Sequence, residues 1–480
     1  MAARRAIWLS LTVLVAPHAT PAPLATEDCR LSSPWLPTIS AQCATVSVPE
    51  NPAEPDGRRI GLFVARVPSL NAAPQLDPLV LIAGGPGQAA SDLYLGIRGA
   101  FEHVRRDRDI ILLDQRGTGR SNTLRCELDD GGVETTDPAA LPAVMAECLA
   151  DLDGDPRFYT TSVATADLER VREALELDAW NIYGVSYGTR VALHYLRRFP
   201  QHVRAVVLDG VVPPDVALGP AIAANAQEAL DLAFARCADE PECSARFPDL
   251  SLRLETLTTR LSDSPLAVQL PDPYAGTPLD RSFSLLHLKS VIRLMSYSPQ
   301  TVALLPLLIT EAYAGNYGPV TAQAYMMIDE VEAGLSVPMH NSVVCTEDVP
   351  FFTQQRPDFS GAFLGSSIVD ALLAVCSVWP RGLMDEDLKT TFGSDRPVLL
   401  LSGEADPITP PEYGLRVLSS LANARHLIGP GQGHGQVGVG CVPRLLRAFL
   451  DDPEPANLDA RCLEQERPSP FFLDFNGPAP

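Results

Sequence analysis

Three side chains far apart in this chain are of the types that together make a hydroxyl reactive: Ser186, Asp406 and His434. A neutral serine is a poor nucleophile near pH 7, so attack by Ser186 on a carbonyl carbon needs a base to take its proton as the bond forms. His434 offers that base inside the glycine loop Gly431-Gln432-Gly433-His434-Gly435. Asp406, 28 residues earlier, would hold the imidazole tautomer and stabilise the imidazolium. Glu404 competes for the acid role; Asp406 is preferred because it sits just past an apolar run, where the chain turns at Pro407. The other seven of the eight histidines have no comparable setting.

The elements around these residues fit their roles. Ser186 lies in Gly184-Val185-Ser186-Tyr187-Gly188, directly behind the apolar run Trp180-Asn181-Ile182-Tyr183. A G-x-S-x-G between strand and helix is a nucleophile elbow: the turn is so tight that side chains two residues either side would collide, and the serine hydroxyl is pushed outward. The Tyr187 amide then opens a helix, where it can meet negative charge developing on a substrate oxygen. A Gly-Ser loop before an ordinary helix has the same letters, so the pentapeptide needs company. It has some upstream, where the buried strand pattern of residues 77–82 runs into Ala83-Gly84-Gly85-Pro86-Gly87. Backbone amides in such a cluster approach a ligand unobstructed, and Gly85 is the expected second oxyanion donor. Downstream, residues 396–401 form the strand that delivers Asp406, and a helical pattern over residues 443–450 follows His434. The order Ser, Asp, His along the chain is that of the α/β-hydrolases, not of the chymotrypsin or subtilisin folds.

Taken together, these segments resemble the prolyl and tripeptidyl aminopeptidase branch of the α/β-hydrolases, with a C-terminal region of the tripeptidyl-aminopeptidase type. The motifs are Gly84-Gly85-Pro86-Gly87, Asp114-Gln115-Arg116-Gly117-Thr118-Gly119-Arg120-Ser121, the elbow with Thr189, Ser402-Gly403-Glu404-Ala405-Asp406-Pro407 and Gly433-His434-Gly435. The second of these is the most specific. Prolyl aminopeptidases usually carry His before Gly-Gly-Pro-Gly; Ala83 stands here, which agrees better with secreted tripeptidyl-type relatives. The resemblance also implies that Cys345-Thr346-Glu347-Asp348 and Cys376-Ser377-Val378-Trp379-Pro380 are partner segments. Glu347 is the candidate for pairing a substrate ammonium, which left unpaired and desolvated costs several kcal/mol. Asp348 is the alternative; a surface acid beside a structural disulfide is the bland reading.

Composition narrows the partners. A net charge of −22 argues against nucleic acid, since phosphate contacts need clustered Lys and Arg. Arg4-Arg5 followed by the mainly apolar residues 6–16, with Ala19, Ala22 and Ala25 beyond, predicts a signal peptide too short to span a bilayer. No other apolar run approaches the ~20 residues of a span, so no stable membrane association is expected. The ten cysteines suit an oxidising compartment, secreted or periplasmic, and fall as sequence neighbours: Cys29 with Cys43, Cys126 with Cys148, Cys237 with Cys243, Cys345 with Cys376 and Cys441 with Cys462. No Cys/His cluster suggests a metal, and the chemistry requires no cofactor.

Alternating Ile60, Leu62 and Val64 predict an antiparallel edge strand, and strands at residues 79–82, 109–113, 180–183 and 204–208 alternate with helical patterns. That alternation means an α/β fold with a mostly parallel central sheet and helices on both faces. About 180 residues then intervene before the strand pattern resumes at Pro397. They are mostly helical, for example over residues 221–236 and 286–314, with breaks at Pro265, Pro271 and Pro273. An insertion of that size is a domain. The expected organisation is a signal peptide over residues 1–25, core over 26–215, a helical cap over 216–390 and core again over 391–480. The function that follows is a secreted serine exopeptidase, an aminopeptidase acting on peptides with a free N-terminus through an acyl-enzyme. The runner-up is a carboxylesterase with the same triad.

Overall fold

The computed structural model describes residues 24–33, 36–126, 137–272, 275–354, 359 and 361–478, so nearly all of the expected signal peptide lies outside the described residues. Eleven strands are present among them: β1 (Glu27–Leu31), β2 (Ile39–Pro49), β3 (Arg59–Val67), β4 (Leu79–Ile82), β5 (Ile110–Leu113), β6 (Trp180–Val185), β7 (Val203–Asp209), β8 (Leu266–Pro271), β9 (Pro278–Phe283), β10 (Val398–Gly403) and β11 (Ala424–Gly429). Nine form one sheet in the order β1-β2-β3-β5-β4-β6-β7-β10-β11. The pairs from β5 to β11 are parallel, while β1, β2 and β3 run antiparallel to their neighbours.

The central strands are uniform apolar runs because both of their faces are covered. Every residue of β4, β5 and β10 is buried. Leu79 and Leu81 join one core with Tyr183, Leu445 and Phe449; Val80 and Ile82 join the other with Leu168, Val191 and Tyr195. Helices Ala90–Ile97 and Val442–Asp451 supply the first face, helices Thr161–Ala174 and Tyr187–Arg198 the second. The chain thus has the expected α/β architecture.

Two strand readings need correction. β3 is antiparallel as expected but is not an edge, because β2 pairs with its residues 59–66 and β1 lies beyond. Those two strands, over residues 27–31 and 39–49, precede the expected edge strand. The mainly helical insertion also holds an antiparallel pair, β8 and β9, which begins just past Pro265 and takes in Pro271; Pro273 lies outside the described residues. Residues 286–314 divide into Leu285–Met295, Pro299–Val302 and Leu305–Tyr313, since proline at the start of a helix is tolerated but one inside it is not. A third apolar core, with Leu230, Leu254, Val291 and Leu308, holds these helices together and takes in Phe471 from the C-terminal tail. All ten cysteines are bonded in the neighbour pairs expected.

The Asp114–Ser121 motif, directly after β5, does structural work. Asp114 accepts from the Ser91 amide and hydroxyl and from the Arg120 amide at 2.9–3.0 Å. Arg116 makes a buried two-pronged ion pair with Asp167, at 2.6 and 2.8 Å, and also donates to the Glu50 and Phe158 carbonyls. A buried guanidinium left without those partners would be strongly destabilising, so the motif's residue types follow from its burial.

Candidate active site

Ser186 stands between β6 and the helix Tyr187–Arg198 with φ 56° and ψ −125°, a backbone conformation that a side chain other than glycine's adopts only under constraint. The constraint is visible at the flanking glycines. A Cβ on Gly184 would meet the Gly188 carbonyl, and one on Gly188 would run into the carbonyl oxygens of Ile82 and Ala83 at the end of β4. The elbow therefore sits hard against the strand that leads into the Gly84-Gly85 loop. The Ser186 amide donates to the Asp209 carbonyl at 2.8 Å, which ties the turn to the end of β7.

The same strand end receives the histidine. Both Asp209 carboxylate oxygens accept the Gln436 amide, at 2.7 and 2.9 Å, and Oδ2 also takes the Val437 amide and the Tyr183 hydroxyl. This fastens the loop just past His434. Gly210 has φ +65°, and a Cβ there would lie 2.9 Å from His434 Cε1, so glycine leaves room for the imidazole. The ring and that of Tyr297 lie nearly perpendicular with centroids 5.3 Å apart, and the His434 amide donates to the Tyr297 carbonyl at 2.7 Å.

Asp406 and His434 are brought together: Oδ2 lies 2.8 Å from Nδ1, and the carboxylate is fully buried. Asp406 also accepts from the amides of Ile408 and Thr409 and from the Thr409 hydroxyl at 2.8–2.9 Å. Burial pushes the Asp406 pKa up, but the imidazolium and these donors outweigh it and hold it below the usual carboxylate range. Burial likewise works against the His434 imidazolium; the charge and hydrogen bond of Asp406, with Asp209 behind them, prevail and leave its pKa above the ordinary histidine value. Glu404 accepts instead from the Gly431 amide at 2.7 Å, which takes the competitor out of the acid role.

The third link is not closed. Among the described residues no hydrogen bond joins Ser186 Oγ to His434; the two meet through residues 209–210, one against its carbonyl and the other against its glycine. Gly85 lies in the loop that follows β4, and Tyr187 takes the first position of the elbow helix.

Glu347 is a correction. It is fully buried, and both carboxylate oxygens are taken: Oε1 by the Thr161 amide and Oε2 by the Thr161 hydroxyl, each at 2.7 Å, with Arg190 3.5 Å away. Asp348 is equally buried and receives Arg190 at 2.8 and 3.1 Å. Neither acid is open to a substrate ammonium, because their charge already answers a buried arginine. Thr409 and Asp209 are the residues that sequence reasoning missed. Their signals were an alcohol three residues past the acid and an acid closing an apolar strand.

The chain is similar to several known proteins. Residues 77–239 match the family described as alpha/beta hydrolase fold, and residues 362–462 match that described as TAP-like protein. Serine protease Hip1 of Mycobacterium tuberculosis is 29% identical over 215 residues, 40% of this chain and 40% of Hip1. Tripeptidyl aminopeptidase of Streptomyces lividans is 29% identical over 221 residues, 42% of this chain and 40% of the relative. Carboxylesterase B of M. tuberculosis is 34% identical over 225 residues, 42% of this chain and 43% of the relative. The matches thus span about two fifths of the length of these curated relatives.

Proposed function

Because the chain belongs to the α/β-hydrolases and carries a TAP-like C-terminal region, we propose that it is a serine peptidase releasing N-terminal residues from peptides through an acyl-enzyme. The observation that carries the reading is the buried Asp406–His434 pair, 2.8 Å apart, set on the same strand end as the elbow serine. Ser186 Oγ attacks the scissile carbonyl while His434 Nε2 takes its proton. The carbonyl oxygen becomes an oxyanion facing the Gly85 and Tyr187 amides, where fixed donors stabilise the transition state most. On collapse the C–N bond breaks, His434 returns the proton to the leaving amine, and water repeats the sequence on the ester.

Residues 216–390 act as a cap in this reading. Its support is contact with both halves of the machinery: Tyr297 on the His434 loop, and an antiparallel bridge from Leu335 to Gln88 on the Gly85 loop. Five disulfides suit an oxidising compartment, and among the described residues no helix is long and apolar enough to cross a membrane. The preference for a free N-terminus rests on the TAP-like likeness, with no ammonium partner assigned to Glu347.

Esterase action with the same triad is the second reading, favoured by the 34% identity to carboxylesterase B. A three-way comparison separates them: a free-amine peptide anilide, its N-acetylated form and a simple acyl ester. The peptidase reading expects the free-amine peptide to be turned over best. Equal turnover of the acetylated peptide removes the amine requirement, and turnover of the ester alone makes the chain an esterase.

A further inference from the structure

The helix Val337–Glu347 starts against the Gly85 loop and ends against Thr161, the hydrogen-bond partner of the Tyr187 hydroxyl. Just before its start, Ser336 donates its amide to the Gly87 carbonyl at 2.9 Å, and Leu335 bridges to Gln88. One turn in, His340 Nδ1 lies 3.3 Å from the Pro86 carbonyl. These contacts hold the three residues that follow Gly85. At the other end of its 11 residues, roughly 15 Å away, Glu347 holds Thr161 by amide and hydroxyl. The Thr161 hydroxyl is 2.8 Å from the Tyr187 hydroxyl. A hydroxyl has one proton; with Thr161 donating to Glu347, the Tyr187 hydroxyl must donate to Thr161. The result is a directed, wholly buried relay from Tyr187 through Thr161 to Glu347.

Tyr187 is the residue whose amide faces the oxyanion, and its ring is fixed by that relay. Three residues on, and so on the same side of the elbow helix, Arg190 is gripped by Asp348 and lies 3.5 Å from Glu347. Two anchors on one side of a helix prevent its rotation about its axis, which would swing the first amide out of line. The holding helix is itself braced by the Cys345–Cys376 disulfide, by Trp379 donating to Ser342 at 3.2 Å, and by Gly382 donating to Thr346 at 2.8 Å.

We propose that Glu347 is a positioning residue for the oxyanion hole, acting through Thr161 on Tyr187, and that the helix it ends sets the spacing between the two donor amides. This rests on the serine-hydrolase reading. The assignment explains why a carboxylate is buried here although no substrate can reach it. Its carboxyl group accepts the first amide of helix Thr161–Ala174 and orients the hydroxyl chain at once.

The test measures hydrolysis of p-nitrophenyl acetate and inhibition by benzeneboronic acid, whose serine adduct places a B–O⁻ in the oxyanion site. Thr161→Val and Glu347→Gln are expected to lower kcat about 10–100-fold, less than outright loss of a donor, with KM held within about twofold. The boronate Ki should rise by the factor that kcat falls. Thr161→Ser, which restores the hydroxyl, should stay within about threefold of the wild type. The acid limb set by His434 should not move in any of them. Wild-type kcat and Ki in both Thr161→Val and Glu347→Gln would overturn the proposal, as would a fall in kcat with an unchanged Ki. If the wild type shows no Ser186-dependent ester hydrolysis, the hydrolase reading itself fails, which is a different result.

Discussion

His434 is the residue whose state the environment controls most directly. Its pKa is raised because Asp406, backed by Asp209, favours the charged ring more than burial disfavours it. The base must be neutral to act, so kcat/KM should rise with pH through a midpoint above the ordinary histidine value near 6.5. Asp406→Asn removes the charge and the tautomer lock; it should lower kcat by about 10⁴-fold and move the midpoint downward. A pH–rate profile of both proteins checks this, and an unmoved midpoint would separate Asp406 from the imidazole. At this scale the Asp406–His434 pair was legible because each member stands beside a strand or glycine pattern that says where it will lie. Glu347 was misread for a physical reason: letters record a carboxylate, not the arginine and threonine that consume it. Thr409 and Asp209 act through hydrogen bonds closed only by tertiary approach.

At the scale of elements, the site depends on how closely the elbow helix meets β4. Gly188 is the contact point, with the Ile82 and Ala83 carbonyls where a Cβ would go. Gly188→Ala must lift the helix from the strand, at an expected cost of about 1–3 kcal/mol, as for overpacking elsewhere. Activity should fall further than stability does, because the displaced helix carries both Ser186 and the Tyr187 amide. Denaturant unfolding beside kcat would show it; full activity would mean the elbow tolerates the shift. The central parallel strands were readable as unbroken apolar runs. β1 and β2 were not, since antiparallel pairing at one side of the sheet leaves alternating, half-exposed residues among prolines. β11 was missed likewise, being an outer strand with Ile428 exposed.

For the whole molecule, two histidines outside the site bear on stability. Burial lowers the pKa of His287, and of His426 beside Ser402, to about 4. In the unfolded chain each would titrate near 6.5. Between those values the unfolded state binds protons that the folded state refuses, so stability present above pH 6.5 is lost as pH falls toward 4. The carboxylate of Asp406, with its lowered pKa, adds to the loss in acid. Melting temperature should therefore drop from pH 7 to pH 4.5, and His287→Gln with His426→Gln should flatten the slope. A slope unchanged in that variant would remove both rings from the account.

The central claim is that Ser186 becomes nucleophilic where three distant segments converge. Treatment with a fluorophosphonate, followed by mass mapping of the peptides, tests it without knowledge of the substrate. A single adduct on the peptide bearing Ser186, absent from Ser186→Ala and slowed in Asp406→Asn, is the expected result. No adduct on the folded protein, or one on another serine that persists in Ser186→Ala, would contradict it.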